Sequence, residues 1–164
     1  MTDTTHDTHL SASGFDLTAP TAAERAGLEA SLTREEKDVL LHHGTEAPFC
    51  GGLLENKDDG VYCCRLCGLP LFLHRTKFES GTGWPSFWAP YDETHVLGVR
   101  DDSYGMIRIE TRCARCDSHQ GHVFPDGPHP TGLRYCINSV SLQFVKTGDS
   151  LPDPLGRGDR MPAA

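Results

Sequence analysis

The segment Gly132-Leu-Arg-Tyr-Cys136-Ile-Asn-Ser139 sets a single thiol two residues from an arginine and two residues from an asparagine. Residues 133–145 read as one strand, and alternation along it would put Arg134, Cys136 and Asn138 on the same face. A thiol between a guanidinium and an amide is a poor core residue. It suits a nucleophile, because nearby positive charge favours the thiolate. His119 and His122 lie just upstream, and imidazoles can pass protons near neutral pH.

Four more of the seven cysteines fall in two pairs, Cys64-Arg-Leu-Cys67 and Cys113-Ala-Arg-Cys116, with 45 residues between them. Two such pairs can supply four thiolates to one tetrahedral zinc ion. Four sulfur ligands close the coordination sphere, so this Zn2+ would be structural. The same spacing also suits a zinc ribbon that binds nucleic acid or protein. A zinc hydrolase using the histidines would need an open coordination position, which four cysteines do not leave. Three cysteines remain: Cys50, Cys63 and Cys136.

The elements that must position these groups are legible in part. Thr21-Ala-Ala-Glu24 and Thr33-Arg-Glu-Glu36 match capping boxes, which predicts a short helix within 21–30 and a second over 34–43 that ends at Gly44. From residue 44 to 145 short apolar segments alternate with Gly/Pro turns: Val61–Cys64, Leu69–Leu73, Met106–Thr111, His122–Phe124 and Leu133–Val145. Ile107, Ile109 and Thr111 would share a face. The expected fold is mainly β, preceded by an aperiodic, mobile arm within 1–30 and followed by a tail over 147–164. The expected organisation is a single domain, 31–146, in a monomer. Formal net charge is −8, which argues against affinity for nucleic acid or an anionic membrane. The start, Met1–His9, is polar and acidic and resembles no signal peptide. Together with the cysteine usage this points to a cytoplasmic protein.

Ser80-Gly-Thr-Gly-Trp84-Pro-Ser-Phe87-Trp88 adds two glycines and three large aromatics. Trp84 and Trp88 could wall an apolar pocket, whereas Phe87 reads as core. CRLCGLPLF (64–72), SGTGWPSFW (80–88), CARC (113–116), HQGHVFPDGP (119–128) and GLRYCINSVSL (132–142) occur in this order. Together they resemble the B-type methionine sulfoxide reductases, from about Leu32 to Phe144.

The resemblance implies two antiparallel sheets pinned by zinc on Cys64, Cys67, Cys113 and Cys116. It implies reduction of the R-sulfoxide of methionine in proteins, with Cys136 as nucleophile and Trp84, His119, His122, Arg134 and Asn138 in the active site. Phe124 would be a pocket wall, and Asp126 would partner Arg134. The thiol would become a sulfenic acid, a second thiol would convert that to a disulfide, and thioredoxin would reduce it. Many members carry the second thiol in the loop where this chain has Thr82. Cys50, in Pro48-Phe49-Cys50-Gly51-Gly52, is the expected substitute, and the two glycines would make its segment mobile. Cys63 is the rival, and the absence of any resolving thiol is the third alternative.

Overall fold

The computed structural model describes residues 9–161. Two short helices come first, α1 (Ala22–Ala30) and α2 (Arg34–Leu40), and each begins on a complete capping box. Thr21 and Thr33 accept from the N–H of Glu24 and Glu36, and those carboxylates accept in return from the threonine N–H groups. α2 is three residues shorter than expected, because His43 takes the left-handed conformation at φ 58°. Gly44 serves close approach instead: its N–H reaches back to Asp38 O at 3.0 Å, and a Cβ there would lie 2.9 Å from that oxygen.

Nine strands follow among the described residues: β1 (Gly60–Cys64), β2 (Pro70–Leu73), β3 (Lys77–Phe78), β4 (Ser86–Phe87), β5 (Val96–Asp101), β6 (Arg108–Cys113), β7 (His119–Phe124), β8 (Arg134–Ile137) and β9 (Leu142–Lys146). They form two antiparallel sheets, ordered β2-β1-β9 and β3-β4-β8-β7-β6-β5. The expected mainly β architecture with short N-terminal helices is the one observed. The single strand expected over 133–145 is instead two strands in two different sheets. Between them Ser139–Ser141 form a 3-10 turn, and the Ser141 hydroxyl donates to His119 O. Side-chain hydroxyls that bond backbone locally compete with ladder pairing in this way. The break carries the chain from the sheet that holds Cys136 to the sheet that holds Cys64, where Leu142 pairs with Cys64.

The sheets meet on aromatic and aliphatic side chains. Phe72 and Phe87 stack with ring centroids 4.5 Å apart, and Tyr62 meets Phe87 edge-on at 5.1 Å. Leu71, Ile137 and Leu142 are fully buried beside them. Phe87 is therefore core, as its sequence context suggests. Ile109 on β6 is 40% exposed while Thr111, on the same face, is buried, because β5 and β6 extend to the sheet edge with little packed behind them.

Both termini depart from the sequence reading. Of the arm expected to be mobile, residues 1–8 lie outside the described residues, but the part from His9 on packs against the domain. Phe15 is buried against Tyr91 and His95, and Ser13 bonds the Asp92 carboxylate through its N–H and its hydroxyl. The tail packs as well, through Leu151 and an ion pair between Asp159 and Arg115 at 2.7 Å. Arg115, between two of the paired cysteines, has no exposed side-chain surface. It also donates to Cys67 O and Asp16 O, so arm, tail and cysteine loops converge on one guanidinium. Single apolar or charged residues in a polar stretch carry no periodic signal, which is why the sequence alone hides this. Asp159→Ala would leave Arg115 buried without its counter-ion. We expect a loss of about 3–5 kcal/mol in urea unfolding, whereas Asp149→Ala, exposed at the start of the same tail, should cost much less.

Candidate active site

Strand register builds the site. Ser86, Cys136, His122 and Glu110 stand opposite one another across β4, β8, β7 and β6. Phe124 pairs with Arg134 and Asp101 with Arg108 two residues along the same strands. Because side chains of like parity share a face, these groups lie on the sheet face opposite the one that carries Phe87, Tyr135 and Ile137. The segment after α2 borders this outer face. His119 belongs to it only because of a β-bulge: Thr111 pairs with Gly121 but Arg112 pairs with His119, leaving Gln120 as the extra residue. An odd spacing along a regular strand would have turned His119 away from His122. The bulge brings the two rings to 5.6 Å.

Cys136 opens into a cavity of about 300 Å3 lined by His122, Phe124, Arg134, Asn138, Trp84, Thr82, Thr45 and Arg108. Burial raises the Cys136 thiol above its ordinary range. The Thr82 hydroxyl, 3.9 Å from Sγ, and the Arg134 charge pull it back without cancelling that effect, and Glu46 pushes it up further. The expectation that Arg134 would favour the thiolate is right in sign and too small in size at rest. Arg134 is also engaged elsewhere. It grips Asp126 with two hydrogen bonds of 2.9 and 3.1 Å, and its guanidinium lies 4.4 Å above the Phe124 ring.

Glu46 has no signal in the sequence, yet it joins the parts. Its N–H donates to Asn138 Oδ1 at 3.0 Å, its carbonyl accepts from Trp84 Nε1 at 3.0 Å, and its carboxylate accepts from Val140 N–H at 3.0 Å. Asn138 also donates to Gln120 O. Both ends of the Asn138 amide are therefore committed to backbone, and its place in the site is a tie between the sheet and the covering segment. Only the packed structure brings these distant residues together.

The two histidines have different surroundings. His122 lines the cavity, and its Nε2 lies 2.8 Å from Asp101 Oδ2. His119 lies behind it, fully buried, with Nδ1 2.6 Å from Glu110 Oε2. Burial lowers the His119 pKa, which makes neutral imidazole its resting form. His43 reaches the same Glu110 oxygen at 2.7 Å, and Arg112 takes the other at 2.9 Å. Burial pushes the Glu110 carboxyl up, but these three partners outweigh it and hold it at about 2. The left-handed turn at His43 is what points that imidazole inward.

Cys50 is exposed and Cys63 is fully buried. Burial drives the Cys63 thiol far above its usual range, which removes its value as a reactive group. The Cys50 segment is held against the Trp84 loop, where Phe49 N–H donates to Gly83 O at 2.7 Å. Of the two glycines, Gly51 makes close contact, whereas Gly52 has open space around it. A Cβ at Gly51 would fall 2.2 Å from Ser139 Oγ and 2.3 Å from Glu46 Oε2.

Cys64, Cys67, Cys113 and Cys116 form one buried cluster that could hold a metal ion. Sγ atoms lie 3.6 Å apart for Cys64–Cys116 and 3.5 Å for Cys67–Cys113. A tetrahedral ion with metal–sulfur bonds of about 2.3 Å requires roughly 3.8 Å, whereas a disulfide needs about 2.05 Å. Ser118 Oγ, 3.3 Å from Cys64 Sγ, and Gln120 Nε2 at 3.5 Å are polar neighbours suited to thiolates.

A strand-borne thiol beside an imidazole, in a cavity walled by an indole and separate from a buried four-thiol cluster, has the features of a thiol-dependent oxidoreductase on a β scaffold. The chain belongs to the SelR domain family of B-type peptide methionine sulfoxide reductases, and the SelR domain matches residues 32–146. It is 79% identical over 152 residues to the peptide methionine sulfoxide reductase MsrB of Caulobacter vibrioides, covering 93% of this chain and 96% of that protein. The MsrB of Xylella fastidiosa is 61% identical over 145 residues, covering 88% and 94%. The MsrB of Escherichia coli is 54% identical over 126 residues, covering 77% and 90%. Among the described residues no helix is long and apolar enough to cross a membrane.

The balance of forces on the Cys136 thiol gives a measurable expectation. The pH profile of Cys136 alkylation by iodoacetamide, read by mass spectrometry of its peptide, should have its midpoint above that of a free thiol. Arg134→Met should shift the midpoint higher still, since it removes a charge that favours the thiolate.

Proposed function

We propose that the chain reduces the R-sulfoxide of methionine residues in proteins, with Cys136 as nucleophile and Cys50 as resolving thiol. The observation that carries this reading is the register that seats Cys136 opposite His122 in a cavity walled by Trp84 and Phe124. The sulfoxide methyl rests on these rings, which suit a polarisable sulfur group. The sulfoxide oxygen faces His122. The Cys136 sulfur attacks the sulfoxide sulfur while His122 gives a proton to the oxygen, which makes the sulfur a better electrophile. The hydroxyl of this adduct then passes to the Cys136 sulfur as the sulfur–sulfur bond breaks, which releases methionine and leaves Cys136 as a sulfenic acid.

Because burial holds the resting thiol protonated, substrate must arrive before the thiolate is used. Arg134 then matters as the charge that stabilises the anion. His119, neutral and backed by Glu110, packs its ring edge-on against that of His122. Asn138 keeps the covering segment in place.

The second half-reaction needs another thiol. Cys50 is exposed and borders the loop that touches Cys136, and Cys63 is sealed in the core. Attack of the Cys50 sulfur on the sulfenic acid forms a disulfide and releases water. The bond requires Cα atoms within about 7 Å, so the 47–52 segment shifts during turnover and releases its contacts at Phe49 and Gly51. A dithiol protein of the thioredoxin type reopens the disulfide by exchange and returns both thiols. The four-cysteine cluster holds one Zn2+. It fixes the loops around Arg115 and supplies no chemistry to the reaction.

Cys136→Ser should abolish methionine formation from the R-sulfoxide while leaving the fold intact. Residual turnover above background would overturn its assignment. Cys50→Ser should still produce one equivalent of methionine and a sulfenic acid that dimedone traps, but should lose thioredoxin-driven turnover by at least about a hundredfold. Full turnover in that variant would remove Cys50 from the cycle. Metal analysis should find one zinc per chain. Cys113→Ser should lose it together with a cooperative thermal transition, and a chain free of zinc at full stability would contradict the structural role.

A further inference from the structure

Asp101 is the last residue of β5, two strands away from His122 across the sheet, and nothing in its local sequence marks it out. Its Oδ1 accepts from Ser103 N–H at 2.9 Å, which fixes the carboxylate at the strand end. Its Oδ2 lies 2.8 Å from His122 Nε2 and 3.2 Å from a nitrogen of Arg108. The side chains of His122, Asp101 and Arg108 are 13%, 21% and 23% exposed, and Arg108 and His122 both line the cavity of Cys136. Hydrogen bonds from Ser103 and His122 hold the Asp101 carboxyl below the ordinary carboxylate range.

A carboxylate can only accept. His122 Nε2 must therefore carry a proton in this arrangement, and Nδ1 is left as the ring atom available to a bound substrate. We propose that Asp101 is a positioning residue for His122: it selects the tautomer, fixes the ring plane over the cavity and offsets the charge of the imidazolium. This rests on the reading of His122 as proton donor. In the cycle, Nδ1 takes the proton of the Cys136 thiol and passes it to the sulfoxide oxygen as the sulfur–sulfur bond forms, and Asp101 keeps its own charge throughout. Arg108 bonds the same oxygen, which limits how strongly Asp101 can attract the proton for itself. The other charged or titratable groups facing His122 are Glu110 on β6, Cys136 and Arg134 on β8, and His119 on its own strand.

The test compares Asp101→Ala and Asp101→Asn with the wild type. Long-range nitrogen–proton NMR of labelled histidine reads the His122 tautomer. Single-turnover reduction of a peptide R-sulfoxide is followed from pH 5 to 10. Wild type should show the Nε2–H form. The alanine variant should lose that preference and react about tenfold or more slowly at pH 7, with little change in half-saturation. The asparagine variant, which keeps an acceptor but loses the charge, should keep the tautomer. The limb of its rate profile that needs a protonated imidazole should move to lower pH.

An unchanged tautomer and an unchanged pH profile in Asp101→Ala would overturn the proposal. So would a rate loss uniform across pH that tracks a fall in Tm. Failure of the wild type, or a His122→Ala variant as fast as wild type, would instead sink the underlying reading of the reaction, which the tautomer measurement does not depend on.

Discussion

The tie made by Glu46 is the constraint on which the site depends. Cys136 lies on the outer face of a sheet, and a sheet face left to solvent makes no cavity. The segment after α2 provides the cover, and Glu46 fastens it at three points: to Asn138 at the end of β8, to the indole of Trp84, and to the turn that leads into β9. Its second carboxylate oxygen is buried without a hydrogen-bond partner, which is costly for a charged group. That strain lies directly against Gly51, beside Cys50. The segment that carries Cys50 is thus held by hydrogen bonds at one end and sits on an unsatisfied group at the other.

The same enclosure sets the character of the Cys136 thiol. Burial raises the thiol, and one arginine and one hydroxyl oppose it without winning. A thiolate exposed at all times would meet any oxidant or disulfide. On the proposed reading, a thiol that ionises only beside a sulfoxide oxygen and a protonated imidazole reacts chiefly where it is needed. Discrimination then rests on geometry, with strand register for Cys136 and His122, a β-bulge for His119, and a salt link for Arg134.

Parts of this were legible in the residues themselves. The paired cysteines, the capping boxes and the alternation of Arg134 with Cys136 are short-range patterns, and the structure reproduces them. Other features depend on long-range contact, which one sequence does not display. The bulge at Gln120, the break at Ser139–Ser141, and the convergence of Glu46, Asp101 and Glu110 on the site are of this kind. His43 shows the limit well, since its left-handed turn ended α2 early and moved the glycine to a different duty. Phe15, Leu151 and Asp159 anchor stretches whose composition reads as mobile, because one buried side chain suffices to pin a terminus that has no periodicity.

The graded burial of the seven thiols has a consequence for survival under oxidative attack. Five are buried, Cys136 is half-covered and Cys50 is at the surface. An oxidant approaching from solvent therefore meets the thiols in the order Cys50, Cys136, and last the cluster of four. In the cycle proposed above the first two would share a disulfide that a dithiol reductant reverses, while the four buried sulfurs link the loops around Arg115. Accessibility thus ranks the cysteines by how readily their damage is undone, and the molecule's own chemistry shields the sulfurs it could least afford to lose.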